Sequence, residues 1–155
     1  MINILQVKPY IDYVSTSTPK AVQDNSKSSI LLIDSMLNPN SQLHLELHKI
    51  LNSLHKNLKI DFKKISQVDK KKSIEWFDFS SRYDMVIIFV GDCATCTFKA
   101  SQDTKELNDK NVLTFLITFS EMKSLIDQYT IKKYPEKLFY FDEENFIDKL
   151  QKEFS

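Results

Sequence analysis

The sequence predicts an α/β fold: a three-layer α/β/α domain on a mainly parallel sheet of about five strands, preceded by an extended N-terminal segment. Three observations carry this. Short apolar runs rich in β-branched and aromatic residues, SILLID (29–34), YDMVIIFVG (83–91) and NVLTFLITF (111–119), read as strands buried on both faces. Helix-length stretches separate them, and strands joined by such crossovers lie parallel, with right-handed connections and helices on both faces. The alternation then continues to residue 155 without a repeat or a second domain boundary.

Taken in order, MINILQVKPYIDYV (1–14) is apolar and aromatic-bearing but too short to fold alone. The next stretch, STSTPKAVQDNSKSS (15–29), is mostly small and polar, and such a composition cannot bury enough apolar surface to offset its ordering entropy. Residues 1–28 therefore read as a partner-binding segment with its linker, the alternative being a first strand or a frayed terminus, and residues 29–155 as one α/β domain. SILLID is the first strand. Asn38-Pro39-Asn40-Ser41 is a turn, with Asn40 or Ser41 capping the helix that follows. Leu43, Leu47, Ile50, Leu51, Leu54 and Leu58 recur at helical spacing and mark its inward face. KIDFKKI (59–65) alternates polar and apolar, as an edge strand does.

A weaker helix is expected over Asp69–Ser81, carrying Ile74, Trp76, Phe77 and Phe79. YDMVIIFVG is the strongest strand and belongs at the centre of the sheet. Thr95–Asn108 is polar and suggests a short helix. After the strand at 111–119, Ser120 is placed to cap the helix EMKSLIDQY. Pro135 interrupts the chain before the strand KLFYF (137–141). Asp142 is placed to cap the last helix, with Phe146, Ile147, Leu150 and Phe154 as its inward stripe.

Composition narrows function. Lys+Arg and Asp+Glu are both 21, so the bulk charge indicates no affinity for nucleic acid or membrane surfaces. No apolar run reaches the roughly 20 residues that span a bilayer, no secretory signal is visible, and two cysteines are too few for a disulfide scaffold. A reducing cytoplasm is the expected compartment. The single glycine, Gly91, excludes the glycine-rich phosphate loops, which need several positions without a Cβ.

His44, His48 and His55 share one stripe of the first helix, but Leu45 stands where the metalloprotease motif needs Glu, and no third ligand is evident. They read as amphipathic residues flanking the leucine face. Cys93-Ala94-Thr95-Cys96 is a CxxC after the third strand. One such motif cannot make a four-cysteine zinc site, and it reads as two small half-buried residues in a strand-end loop, with a redox or metal role as the alternative. Asp34 and Asp92 lie at strand ends, where α/β sheets bind ligands and two carboxylates could hold Mg²⁺; turn capping is the preferred reading. Lysines 56, 59, 63, 64, 70, 71 and 72 read as a solvated face, opposite in charge to the acidic C-terminal tail. No catalytic constellation can be assembled, and neither a cofactor nor a metal is expected.

Two resemblances follow. ILLIDS (30–35), YDMVIIF (83–89), LIT (116–118) and LFYFDEENF (138–146) resemble the strands of a response-regulator receiver domain, with Thr118 matching its switch threonine. The second acid of the receiver pair is Ser35 here, the phosphoacceptor position is Phe89, and the lysine position is aromatic. That resemblance implies a phosphorylation-incompetent pseudo-receiver acting by protein contact.

The broader resemblance is to the psi subunit of bacterial DNA polymerase III holoenzyme. Leu5-Gln6, Ile11, Tyr13-Val14-Ser15 and Pro19 are similar to that family's N-terminal pattern, with Tyr13 where tryptophan is usual. ILLIDSMLNPNSQLHLELHKILNSL (30–54) resembles its strand, turn and leucine-rich helix, FVGDC (89–93) its strand end, and SEMKSL (120–125) its late helix start. The resemblance implies a non-catalytic adaptor that bridges the clamp loader to the chi subunit and meets nucleic acid only indirectly. It places Leu5, Gln6, Ile11, Tyr13, Val14 and Pro19 in the partner-binding segment.

Overall fold

The computed structural model describes residues 29–65 and 78–154. Its core is a five-stranded, all-parallel sheet: β1 (Ser29–Asp34), β2 (Lys59–Lys64), β3 (Met85–Phe89), β4 (Thr114–Thr118) and β5 (Leu138–Tyr140), in the order β2-β1-β3-β4-β5. Every residue of β1, β3 and β4 is buried, as continuous apolar runs between two helical layers require. β2 is an edge strand, and its alternating pattern shows as a single buried residue, Phe62. The expected α/β fold, the parallel sheet and the central place of β3 all hold.

Four α-helices with both ends among the described residues accompany the strands: α1 (Leu43–Leu54), α2 (Ala94–Asp109), α3 (Gln128–Lys133) and α4 (Phe146–Lys152). One face of the sheet (Ile30, Leu32, Ile87, Phe89, Phe115, Ile117) packs against Leu47 and Leu51 of α1 and Phe146 and Leu150 of α4. The other face (Leu31, Ile33, Val86, Ile88, Leu116) packs against Cys96, Ala100 and Leu107 of α2, with Ile131 of α3 alongside. Burying a side chain such as Leu47 stabilises the fold by about 1.5–3 kcal/mol, so these two layers supply most of the favourable energy. No helix among the described residues is long and apolar enough to cross a membrane.

Several boundaries differ from expectation. The helix expected over Asp69–Ser81 lies mostly outside the described residues, and only 78–80 are seen, as helix. Gln42 rather than Asn40 or Ser41 precedes α1, because the Asn38 side chain accepts from the Asn40 N–H and holds residues 38–40 in a turn. The polar stretch after β3 is the longest helix among the described residues; it ends at Asp109, and Asn111, two residues on, takes the left-handed conformation that Asn tolerates (φ 66°). Ser120 does not cap an α-helix. It opens a 3₁₀ segment, Ser120–Leu125, and α3 begins later, capped by Asp127, whose carboxylate accepts from the Thr130 N–H at 3.0 Å.

Nor is Asp142 a cap. It accepts from the Ser120 backbone N–H at 2.8 Å and hydroxyl at 2.5 Å, tying the ends of β4 and β5 together, while Asn145 precedes α4. These bonds hold the Asp142 carboxyl below the usual carboxylate range, the Ser120 hydroxyl contributing most. In the last helix Phe146 and Leu150 point inward and Phe154 packs at the margin, but Ile147 is 47% exposed. A further tie, between α2 and α3, was not legible in sequence: the Asp109 carboxylate accepts from Lys105, Lys133 and the Tyr134 hydroxyl.

Candidate functional site

In open α/β sheets ligands bind outside the carboxyl ends of the strands, at the point where the strand order reverses. Here that point lies between β1 and β3, whose last residues Asp34 and Phe89 are paired across the sheet. Four chemically capable groups meet there: Asp34, Asp92, and Cys93 with Cys96.

Asp34 is buried. Its carboxylate accepts from the Met36 N–H at 2.8 Å and faces the Lys64 ammonium at 3.4 Å, which itself donates to the Met36 carbonyl at 3.0 Å. Burial raises the Asp34 pKa and outweighs the lowering effects of the Met36 N–H and of Lys64. Asp92 is exposed and spends both oxygens on the loop after β1, accepting from the Leu37 N–H at 2.7 Å and the Asn38 N–H at 2.9 Å. Both carboxylates thus hold the loop between β1 and α1, as turn capping implied. Asp92→Ala is expected to lower stability by about 1 kcal/mol, read as a shift of the denaturant midpoint.

Gly91 has no positive φ and serves space, not conformation: a Cβ there would clash with the Cδ2–Cε2 edge of the Phe119 ring. Phe119 therefore lies directly over the strand end. It meets Phe141 edge-on at 6.0 Å, and Phe141 meets Phe146 at 5.2 Å, so an aromatic row covers the carboxyl ends of β4 and β5. At the receiver positions, Phe89 is fully buried, and Thr118 is buried with its hydroxyl lacking a hydrogen-bond partner among the described residues.

Cys93 and Cys96 are disulfide-bonded, and the expected strand-end loop is the start of a helix. Cys93 caps α2, its sulfur accepting from the Cys96 N–H at 3.2 Å, and Cys96 lies in the first turn. The signal for this was the CxxC itself, placed before a helix that the polar sequence disguised.

The three histidines do not converge. His44 is buried and tilts against Phe62, with ring centroids 4.6 Å apart. His48 is exposed and bonded to Asn52, and His55 follows the end of α1. No group of three or more metal-ligating side chains occurs among the described residues. Of the lysines read as a solvated face, Lys63 lies over the Phe79 ring at 4.2 Å and Lys64 serves Asp34, while 70, 71 and 72 lie outside the described residues. Leu5, Gln6, Ile11, Tyr13, Val14 and Pro19 also lie outside them. No protein-family model matches the chain, and comparisons with curated proteins and with solved structures return no match.

Proposed function

We infer that this chain is a non-catalytic adaptor resembling the psi subunit, joining the clamp loader of the replicative polymerase to the chi subunit. One observation supports this reading best: the carboxyl edge of the sheet is filled by the protein's own groups. Asp92 is bonded to Leu37 and Asn38, Phe119 covers Gly91, and Phe89 is in the core. A domain whose ligand-binding edge serves its own loops is suited to presenting surface to other proteins. In this reading residues 1–28 carry the clamp-loader contact, with Leu5, Ile11, Tyr13 and Val14 as apolar anchors beside Gln6 and Pro19, and the domain carries the contact with chi.

The test is co-purification of the tagged full chain from its own host, followed by titration. Clamp-loader and chi subunits are expected in the eluate. Tyr13→Ala is expected to weaken clamp-loader binding by about 2 kcal/mol, roughly 30-fold, since buried aromatic anchors carry much of an interface's energy. Unchanged affinity removes Tyr13 as an anchor, and absence of both subunits removes the reading.

A second reading, the pseudo-receiver, is favoured by the strand order β2-β1-β3-β4-β5, which is the receiver order. Deleting residues 1–28 separates the two. The adaptor loses its main partner, whereas the pseudo-receiver keeps it.

A further inference from the structure

We propose that Cys93 and Cys96 form a thiol–disulfide exchange site, with Cys93 the sulfur that exchanges with an external dithiol or disulfide and Cys96 the buried sulfur that closes the ring. This goes beyond the adaptor reading and does not depend on it.

Three independent features place the pair in these roles. The two cysteines are already joined across two intervening residues, so closing the ring needs no rearrangement. Their exposure is unequal: Cys96 is 4% exposed, whereas Cys93 is half-buried and followed by the exposed Ala94 and Thr95. A reagent arriving from solvent therefore meets Cys93 first. The sulfur of Cys93 also sits at the N-terminus of a 16-residue helix and accepts a backbone N–H there. Unsatisfied N–H groups and the helix dipole favour a thiolate at that position, and the thiolate is both the attacking and the better leaving form. Backbone geometry is fixed as well, because the Cys93 carbonyl accepts from both the N–H and the hydroxyl of Thr97 at 2.9 Å. Ala94 and Thr95, the two residues between the cysteines, wall an open groove of about 550 Å³ with Phe98 and Tyr129.

A thiolate of the incoming dithiol attacks the Cys93 sulfur. The Cys93–Cys96 bond breaks, and its electron pair goes to the Cys96 sulfur, which takes up a proton. The second thiolate of the co-reactant then attacks its own sulfur in the mixed disulfide and expels Cys93 as a thiolate. The chain gains two electrons, and the dithiol becomes a disulfide. In reverse, the reduced chain reduces an external disulfide.

The full chain is equilibrated with graded ratios of reduced and oxidised dithiothreitol, quenched in acid and labelled with a maleimide. Both cysteines are expected to pass together from unlabelled to labelled, reversibly. In the reduced chain, iodoacetamide at pH 7 is expected to alkylate Cys93 at least tenfold faster than Cys96, with each site read by peptide mass. Cys96→Ser with oxidised glutathione is expected to trap a mixed disulfide on Cys93, and Cys93→Ser to trap none. A pair that stays reduced at every ratio, or equal alkylation rates, overturns the proposal. Because the rate comparison uses the unaltered chain, a variant that fails to fold does not blunt it. Repeating the exchange with a reduced CxxC peptide separates the two sources of dithiol. Exchange tenfold faster than with dithiothreitol assigns a protein-borne co-reactant, comparable rates assign a small one, and no exchange with either overturns the proposal.

Discussion

Phe89→Asp, the substitution that would restore an acceptor carboxylate at the receiver position, is expected to unfold the domain. Phe89 ends the central strand, is fully buried, and packs in the layer that includes α1 and α4. Removing its ring forfeits about 3–5 kcal/mol of packing, and an unpaired carboxyl in its place adds a desolvation cost of several kcal/mol more. The sum equals or exceeds the whole stability of an ordinary domain, about 5–15 kcal/mol. Circular dichroism and a urea titration at 25 °C should show no cooperative transition, whereas Phe89→Leu, which stays apolar, should keep one. A folded Phe89→Asp chain would show that the strand end has room for an acceptor and would return the receiver chemistry to consideration.

The second large effect is acid sensitivity centred on His44. This ring is 5% exposed, and among the described residues neither nitrogen has a hydrogen-bond partner. Burial, with the nearby His48 and Lys64 adding to it, lowers its pKa from 6.5 to about 4. The fold therefore holds the neutral ring, while the unfolded chain takes up a proton near pH 6.5. Stability is full above pH 6.5, falls as pH drops through the window from 6.5 to 4, and loses about 2 to 3 kcal/mol by pH 4.5.

Burial lowers the pKa of His48 as well and acts in the same direction, though more weakly because that ring is exposed. Asp34 acts oppositely. Its pKa is raised, so the fold binds its proton first, and the loss is partly offset at the acid end. The measurement is the urea midpoint at pH 7 and pH 4.5. His44→Leu should flatten most of the difference and be at least as stable as the unaltered chain at pH 7, since it removes buried polar atoms that lack partners. His48→Gln should leave most of the difference in place. An equal fall in His44→Leu and in the unaltered chain would assign the acid sensitivity elsewhere.

Where sequence and structure agree, the reason is periodicity. β1, β3 and β4 are buried on both faces and read as unbroken apolar runs, and α1 carries leucines at helical spacing. The length of α2 was hidden because its buried face is made of Cys96, Thr97, Ala100, Ser101, Thr104 and Leu107. Small and hydroxyl-bearing residues look like surface, yet the Thr97, Ser101 and Thr104 hydroxyls bond to carbonyls of the preceding turn and so can be buried. The caps were misread for a different reason. Ser120 and Asp142 are each plausible local caps, but they bond to one another across two strand ends, a tertiary choice that no local pattern encodes.

At the candidate site, both aspartates were visible as turn-formers. Their particular partners depend on β1 and β3 lying side by side, which the sequence order of the strands does not announce.

An all-parallel sheet also has a schedule. Among the described strands there is no hairpin, so no two neighbouring ones can form from adjacent sequence. β1 is the second strand in space but the first of the sheet to leave the ribosome. It finds β2 on one side early, yet its other side must wait for β3, because Ile30 pairs with Met85. Such long-range closure slows folding and leaves apolar strand edges open while the chain is being made. The interval between synthesis of β1 and of β3 is the period in which a newborn chain is most prone to aggregate or to need a chaperone.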